Sequence, residues 1–528
     1  MANFVQAPCD DAVIRSRAAA APCLKSSGRW ILAATILGSS MAFIDGTVVN
    51  VALPALQAGL NATVLDVQWV MEAYSLLLTA LLLVGGAMGD QYGRRRIFMF
   101  GVTLFSLASM WCGFVPNIRQ LILARALQGI GAALLVPGSL AIISASFREE
   151  ERGRAIGTWS GFAAITAAIG PVMGGWLIEK VSWRAVFFLN VPLAVIVLLI
   201  SFWHVPESRD EKKGARLDWL GTLLITLGLG ALVYGLIESS RFGFRHPAVL
   251  GTLIGGTFFL VAFFLVEKYA PDPMMPMSIF HSRDFTGANL LTLFLYSALG
   301  GTLFFLPMNL IQIQNYSATA AGAALLPFIL ILFLLSRWSG GLVHRYGAKL
   351  PLVIGPIVAA FGFLLFVRPG VGVDYWTQIF PAVLVLGLGM AVSVAPLTTT
   401  VMNAVPENRV GIASGINNAI SRAAGLLAIA VLGIVMLQTF NHSLDRHLAK
   451  IDISISARRA MEEQRINLAA VRIPEEIPAA TRASLRQAID ESFVDGFRRV
   501  MLVGAALALA SGMTSWLLIT GRTKTKSA

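Results

Sequence analysis

The sequence has 528 residues, of which 56% are hydrophobic and only 13% are charged. A soluble domain carries about 25% charged residues, so a mean hydropathy of +0.72 leaves too little polar surface for a soluble, disordered or collagen-like chain. The net charge of +12 comes from 41 Lys and Arg against 29 Asp and Glu. It points to nucleic acid if the bases share one face, and to membrane topology if they are spread over loops.

Residues 1–28 hold Arg15, Arg17 and Lys25 and lack a short apolar core with a small-residue cleavage site. They are expected to form a cytoplasmic tail, not a signal peptide. Apolar runs of about 20 residues, the length that crosses a bilayer as a helix, then predict an all-α membrane protein. Fourteen spans are expected, near 30–53, 68–88, 97–115, 118–143, 155–178, 184–203, 217–238, 247–268, 285–308, 319–338, 350–368, 376–402, 411–438 and 500–520. The expected organisation is a six-span bundle over 29–203, a cytoplasmic linker at 204–216 and a two-span insertion at 217–268. A second six-span bundle over 285–520 includes the long external loop 439–499, and 521–528 forms a second tail.

With the N-terminus inside, 23 of the 41 bases fall in cytoplasmic segments and six in short outside loops. Ten more lie in 439–499, and two, Arg125 and Arg422, lie within spans. This bias predicts that both termini are cytoplasmic. It also removes nucleic acid as a partner, because no single face collects the charge. The loop 439–499 balances its bases with nine acids and has helix-like stretches around Ser456–Val471 and Ala479–Phe493. A solvated helical hairpin is the favoured expectation; a docking ground for a periplasmic adaptor is the less favoured one.

Two halves repeat. Gly86-Ala-Met-Gly-Asp90-Gln-Tyr92-Gly93-Arg94-Arg95, after span two, matches Gly340-Gly-Leu-Val-His344-Arg-Tyr346-Gly347-Ala348-Lys349, after span ten, at an offset of 254. Leu53-Pro54 matches Leu306-Pro307, and Arg152-Gly153-x-x-x-Gly157 matches Arg409-Val-Gly411-x-x-x-Gly415, at nearly the same offset. Three landmarks in order imply two related six-span halves around an unmatched pair, the plan on which many secondary transporters build a central site.

Several motifs carry chemistry. In span one, Asp45 puts a carboxyl group in mid-membrane, a site for a proton or a cation by default, and Asn50 adds a polar group just beyond it. A carboxyl that merely hydrogen-bonds neighbouring helices is the plainer alternative. In the loop after span two, Gly86 and Gly93 permit a tight turn, Asp90 can cap a helix or pair with a base, and Arg94, Arg95 and Arg96 suit an anionic membrane surface. In span four, Arg125 and Gln128 are three residues apart and share a face, followed by Gly129-x-Gly131-Ala132-Ala133. A mid-span arginine costs several kcal/mol unless paired or hydrated, so it is expected to face the interior. In span five, Gly157-x-x-x-Gly161 and Gly170-Pro171-x-x-Gly174-Gly175 allow close helix packing and a kink. Glu72 near the end of span two, Arg422 in span thirteen and Glu238 near the end of span seven are weaker candidates.

The loop Gly86–Arg95 resembles the signature cytoplasmic loop of the major facilitator superfamily. The span-one stretch Ile44–Pro54, with Trp183-Arg184-x-x-Phe187-x-x-Asn190-x-Pro192 before span six, is similar to the fourteen-span drug:proton antiporters, over about residues 30–520. The resemblance implies a latch role for the loop, proton coupling for Arg125 and an antiporter-type motif in span five. His344 replaces the acid in the second loop, and span ten lacks an acid between Ser317 and Leu335, which departs from relatives that export divalent cations.

No Gly-Lys pair, His-Glu-x-x-His or Gly-x-Ser-x-Gly occurs, so ATP, metal and serine-hydrolase chemistry are not expected. Cys9, Cys23 and Cys112 contain no C-x-x-C, and none of the six histidines lies deep in a span. The expectation is a transporter of the bacterial cytoplasmic membrane, not an enzyme, driven by the proton gradient without cofactor or metal. It would export small amphipathic or lipophilic compounds such as drugs. Asp45 would carry the proton, Arg125 would tune it, and Asp90 would latch one state. A metabolite-uptake symporter and a non-transporting sensor or scaffold are the alternatives.

Overall fold

In a computed structural model the structure describes residues 25–147, 149–209, 218–271, 273–406, 409–451, 453, 455–462, 464–473 and 477–520. Most of the two tails, Cys9, Cys23 and residues 210–217 of the linker lie outside the described residues. Every regular element among the described residues is helical. This is what lipid demands of an open chain, because a helix satisfies its own backbone groups.

The principal helices are α1 (Lys25–Gly59), α2 (Val64–Tyr92), α3 (Arg94–Phe114), α4 (Ile118–Ser146) and α5 (Glu149–Lys180). Next come α6 (Ala185–His204), α7 (Trp219–Phe242), α8 (Pro247–Tyr269), α9 (Arg283–Ile313) and α10 (Ala318–Ser336). The last four are α11 (Lys349–Leu365), α12 (Tyr375–Asn403), α13 (Val410–Leu448) and α14 (Ala479–Leu518). Among the described residues, twelve helices are long and apolar enough to cross a membrane. The predicted segments 155–178 and 350–368 are also helical. The first is the 32-residue α5, and the second is α11, an apolar helix of 17 residues, about 25 Å long.

One expected boundary moves. Span fourteen was placed at 500–520, but its helix begins at Ala479, and α13 runs on to Leu448. The amphipathic sequence after 479 needs no break to leave the apolar zone, since its buried positions (Leu485, Ile489, Phe493, Phe497) continue the helical period into the span. The segment between them holds a short helix, Ile455–Glu462, and a 3₁₀ turn, Arg465–Ala470, so the stretch 456–471 is not one helix.

The described residues form two compact units. One takes Met1–Val49, Val70–Leu229 and Phe259–Met274; the other takes Asn50–Trp69, Gly230–Phe258 and Met275–Ala528. The cut therefore does not follow the sequence repeat. The end of α1 and the start of α2 belong to the second unit, where Gln57 Nε2 donates to the Asn467 carbonyl (3.3 Å), Gln312 Nε2 donates to Gln57 Oε1 (3.1 Å) and Arg472 donates to Asn61 (2.9 Å). The inserted pair α7–α8 is divided between the units.

In the first unit the core is built by Phe98, Phe105, Leu135, Val197 and their neighbours, all buried. Glycine sets the helix spacing. A Cβ on Gly131 would lie 2.5 Å from the Phe105 nitrogen, and one on Gly129 would lie 2.4 Å from the Tyr74 carbonyl oxygen. Small residues at these points let α4 lie directly on α3 and α2. In the second unit α9 packs on α13 and α14, and α11 packs on α12 and α14.

Candidate functional site: a buried acid–base pair

Asp45 lies in the middle of α1 and Arg125 two turns into α4, both within the first unit, and their side chains meet. Arg125 Nη1 donates to Asp45 Oδ2 at 2.5 Å, with both side chains out of contact with solvent. Gln128 completes a ring. Its Oε1 accepts from Arg125 Nη1 (2.7 Å) and its Nε2 donates to Asp45 Oδ1 (2.8 Å). The i, i+3 spacing read from the sequence puts both α4 side chains on the face that meets α1. A charge-assisted pair with a neutral donor on the second carboxylate oxygen is the arrangement that makes a buried ion pair tolerable.

Three partners had no sequence signal strong enough to single them out. Arg125 Nε donates to the Val70 carbonyl (3.2 Å). Its guanidinium carbon lies 4.2 Å from the centre of the Tyr74 ring. Cys112 Sγ donates to Gln128 Oε1 at 3.8 Å. Tyr74 and Cys112 both lie in apolar runs, where nothing local sets them apart.

The span-five motif meets the same place. A Cβ on Gly170 would lie 2.2 Å from Thr47 Oγ1, and one on Gly174 would lie 2.8 Å from the Val48 side chain. The glycines therefore let α5 close on α1 at the two residues just past Asp45. Pro171, Gly174 and Gly175 are buried. Gly161 also lies on α5, and its surroundings lie outside the described residues. Trp159 Nε1 donates to Ser39 Oγ (3.1 Å), one more tie between α5 and α1.

Other candidates fall elsewhere. Glu72 is completely buried, and among the described residues neither carboxyl oxygen has a hydrogen-bond partner. It lies two residues from Val70 and from Tyr74, which a helix turns to another side, so the Arg125 cluster does not include it. Asn50 and Arg422 belong to the second unit. Glu238 accepts from Trp69 Nε1 at 3.3 Å, within the second unit.

The loop after α2 is held from an unexpected side. Asp90 pairs with Arg94 one turn on (2.7 Å), on the helix surface. Glu207, just past α6, accepts from the Arg95 backbone nitrogen (3.1 Å), and its carboxylate lies 3.6 Å from Arg96 Nε. The Ser208 carbonyl accepts from the Arg94 nitrogen (2.9 Å). Gly93 has φ +110°, where a side chain is strained. Gly347, its repeat partner, has φ +77°. Gly86 is half-buried beside Pro137. The Trp183–Pro192 motif is a clamp: Arg184 donates to the Val115 carbonyl (3.1 Å), and Asn190 donates to Ser109 (3.0 Å).

A buried acid–base pair within long, closely packed apolar helices points to a multi-pass membrane protein. The sequence profile of the Major Facilitator Superfamily matches residues 35–429, and the chain belongs to that family. It is 32% identical over 502 residues to the multidrug resistance protein Stp of Mycobacterium tuberculosis (strain CDC 1551 / Oshkosh), covering 92% of this chain and 91% of that one. It is 30% identical over 488 residues to the tetracenomycin C resistance and export protein of Streptomyces glaucescens, covering 91% and 89%. The puromycin resistance protein pur8 of Streptomyces alboniger is 36% identical over 410 residues, with 77% of this chain and 81% of that protein covered. In fold, the chain matches a bacterial homologue of the human lysosomal transporter Spinster, in an inward-facing and unoccupied conformation. The TM-score is 0.66 at 16% identity, with 95% of this chain and 100% of that one covered. The protein is a multi-pass membrane protein, as the family and its twelve long apolar helices require.

Proposed function

We propose that this chain is a proton-coupled antiporter of the bacterial cytoplasmic membrane that exports small amphipathic or lipophilic compounds such as drugs. The observation that carries the reading is the closed Asp45–Arg125–Gln128 ring, buried where the glycines of α5 meet α1. The named relatives are resistance and export proteins, which favours drugs as cargo. On this reading the chain crosses the membrane fourteen times with both termini in the cytoplasm, α5 and α11 adding to the other twelve helices. The proton gradient supplies the energy.

The mechanism follows from the pair. With Asp45 charged, Arg125 holds α1 to α4 through the bond at 2.5 Å. A proton on Asp45 removes that charge and leaves a hydrogen bond where there was an ion pair. The difference biases a two-state equilibrium between inward-open and outward-open forms. The smooth contact of Gly170 and Gly174 on Thr47 and Val48 lets α1 shift against α5 without a side chain in the way. The Asp90–Arg94–Glu207 loop would latch one of the two states. Glu72, buried and unpartnered, is a second place for a proton, because an apolar surround disfavours an unpaired carboxylate.

Inverted vesicles test this directly. They are energised, lipophilic drugs are added, and proton release is followed. Wild type should release protons on drug addition, and Asp45→Asn should not. No proton movement with any drug in wild type would sink the antiport reading. Retained coupling in Asp45→Asn would move the proton to Glu72. The uptake-symporter alternative predicts proton movement of the opposite sign.

A further inference from the structure

The ring around Asp45 poses a problem that its hydrogen bonds do not solve. Arg125 is fully buried. While Asp45 is charged, the guanidinium is answered by a carboxylate. Once Asp45 takes a proton, as the proposed function requires, a full positive charge is left in a membrane interior, which is costly unless something else holds it. The groups facing the pair are few. From α4 come Arg125 itself and Gln128; from α3 comes Cys112, on Gln128; from α2 come the Val70 carbonyl and the Tyr74 ring. Helix α5 meets this stretch of α1 through Gly170 and Gly174, which bring no charge. Among the described residues, Asp45 is the only acid among the hydrogen-bond and ion-pair partners of Arg125.

Three of these groups answer positive charge whatever the state of Asp45: the Val70 carbonyl oxygen and Gln128 Oε1, each through a hydrogen bond, and the face of Tyr74. The ring is placed for it. Its centre is 4.2 Å from the guanidinium carbon, and Tyr74 is only 4% exposed, so water does not dilute the attraction. The backbone that carries the ring is closely packed too. Helix α4 rests on the Tyr74 backbone, where a Cβ on Gly129 would come to 2.4 Å of the Tyr74 carbonyl oxygen. Among the described residues, Arg125 Nη2 has no hydrogen-bond partner.

We propose that Tyr74 is a positioning residue for proton coupling: its ring face holds Arg125 when Asp45 is neutral, and so sets the proton affinity of Asp45. This rests on the reading of Asp45 as proton carrier. The sign follows from comparing the two states. With Asp45 charged, its field largely cancels that of the guanidinium and the ring adds little. With Asp45 neutral, the ring faces an uncompensated cation and adds most. The ring therefore favours the protonated state. Removing it makes Asp45 harder to protonate, so the midpoint moves to more acidic pH. A desolvated cation–ring contact is strong enough for a shift of about one pH unit, or tenfold in proton affinity.

The test is an infrared pH titration of the purified full-length chain, following the C=O stretch of protonated carboxyl groups. The band lost in Asp45→Asn identifies Asp45. Tyr74→Leu and Tyr74→Met, which remove the ring with different packing, should each shift its midpoint about one unit toward acid. Tyr74→Phe, which keeps the ring and removes the hydroxyl, should stay within about 0.3 units of wild type, since the face and not the hydroxyl makes the contact. An unchanged or alkaline midpoint in both Leu and Met variants overturns the inference. So does a Phe variant that shifts as far as Leu. If Asp45→Asn removes no band, the proton carrier itself is wrong, and Tyr74 falls with it; that outcome is distinct from a band that persists but does not move.

Discussion

The two halves of the chain share a frame but not a chemistry. Gly93 and Gly347 occupy the same place in two related loops and both take a positive φ. Yet the first half puts Asp45, Arg125 and Gln128 into one buried ring, while the second puts Ala298 and Leu299 at the place of Asp45 and the apolar run Ile379–Val383 at the place of Arg125. Leu299 lines a small apolar pocket with Leu303, Leu306, Phe328, Phe366 and Leu386. The two halves share the glycines that shape the loops, but not the residues of the ring. A buried ion pair is poor material for stability alone, because desolvation offsets much of its attraction. On the proposed reading, its place in the first half makes it a device for changing state.

That contrast can be broken on purpose. The largest effect should come from Arg125→Ala, which leaves Asp45 buried without its partner and should lower stability by about 3–5 kcal/mol. The double change Asp45→Leu with Arg125→Leu imitates the second half. It should recover most of the lost thermal stability in detergent while showing no drug-driven proton release. A double variant as unstable as the single one would mean that the pair is structural and that the comparison misleads.

Gly170→Ala should come next. Its Cβ would collide with Thr47 Oγ1 at 2.2 Å, so the expected loss is about 1–3 kcal/mol together with slowed transport. Thr47→Ala in the same chain should restore much of both, since the colliding oxygen is gone. Unfolding midpoints and initial efflux rates read this out, and a lack of rescue would place the strain elsewhere.

The smallest effects should separate the two loops. Gly93→Ala and Gly347→Ala both force a side chain into left-handed backbone, for about 1–2 kcal/mol each. Gly93→Ala should cost more and slow transport further, because its Cβ would also press on the Glu207 carboxylate at 2.7 Å. Equal losses in stability and rate would show that Glu207 yields freely and that the first loop has no special hold.

Much of this was readable in the chain. Long apolar runs fix helices because lipid leaves the backbone no other partner, and Asp45 and Arg125 stand out because charge is so costly there. The i, i+3 relation of Arg125 and Gln128 needed only helix geometry. Other features required distant segments to meet. Nothing local says that Glu207 reaches back to Arg95, that Cys112 touches Gln128, or that Gly170 opposes Thr47 rather than some other helix. The ends of α1 and α2 join the second unit through single side-chain bonds such as Gln57 to Gln312, which no periodicity records. Glu72 is the opposite case: like Asp45 it is a carboxyl in an apolar run, but the turn of α2 directs it away from Arg125.

By itself, then, the sequence determined the solvent, the helices, the repeat and the expensive charges, because each depends on composition or on spacing along one helix. Only the tertiary structure decided which expensive charges are paired. Pairing depends on helix rotation and on close approach at Gly129, Gly131, Gly170 and Gly174, and those distances are set by side chains that lie far apart along the chain.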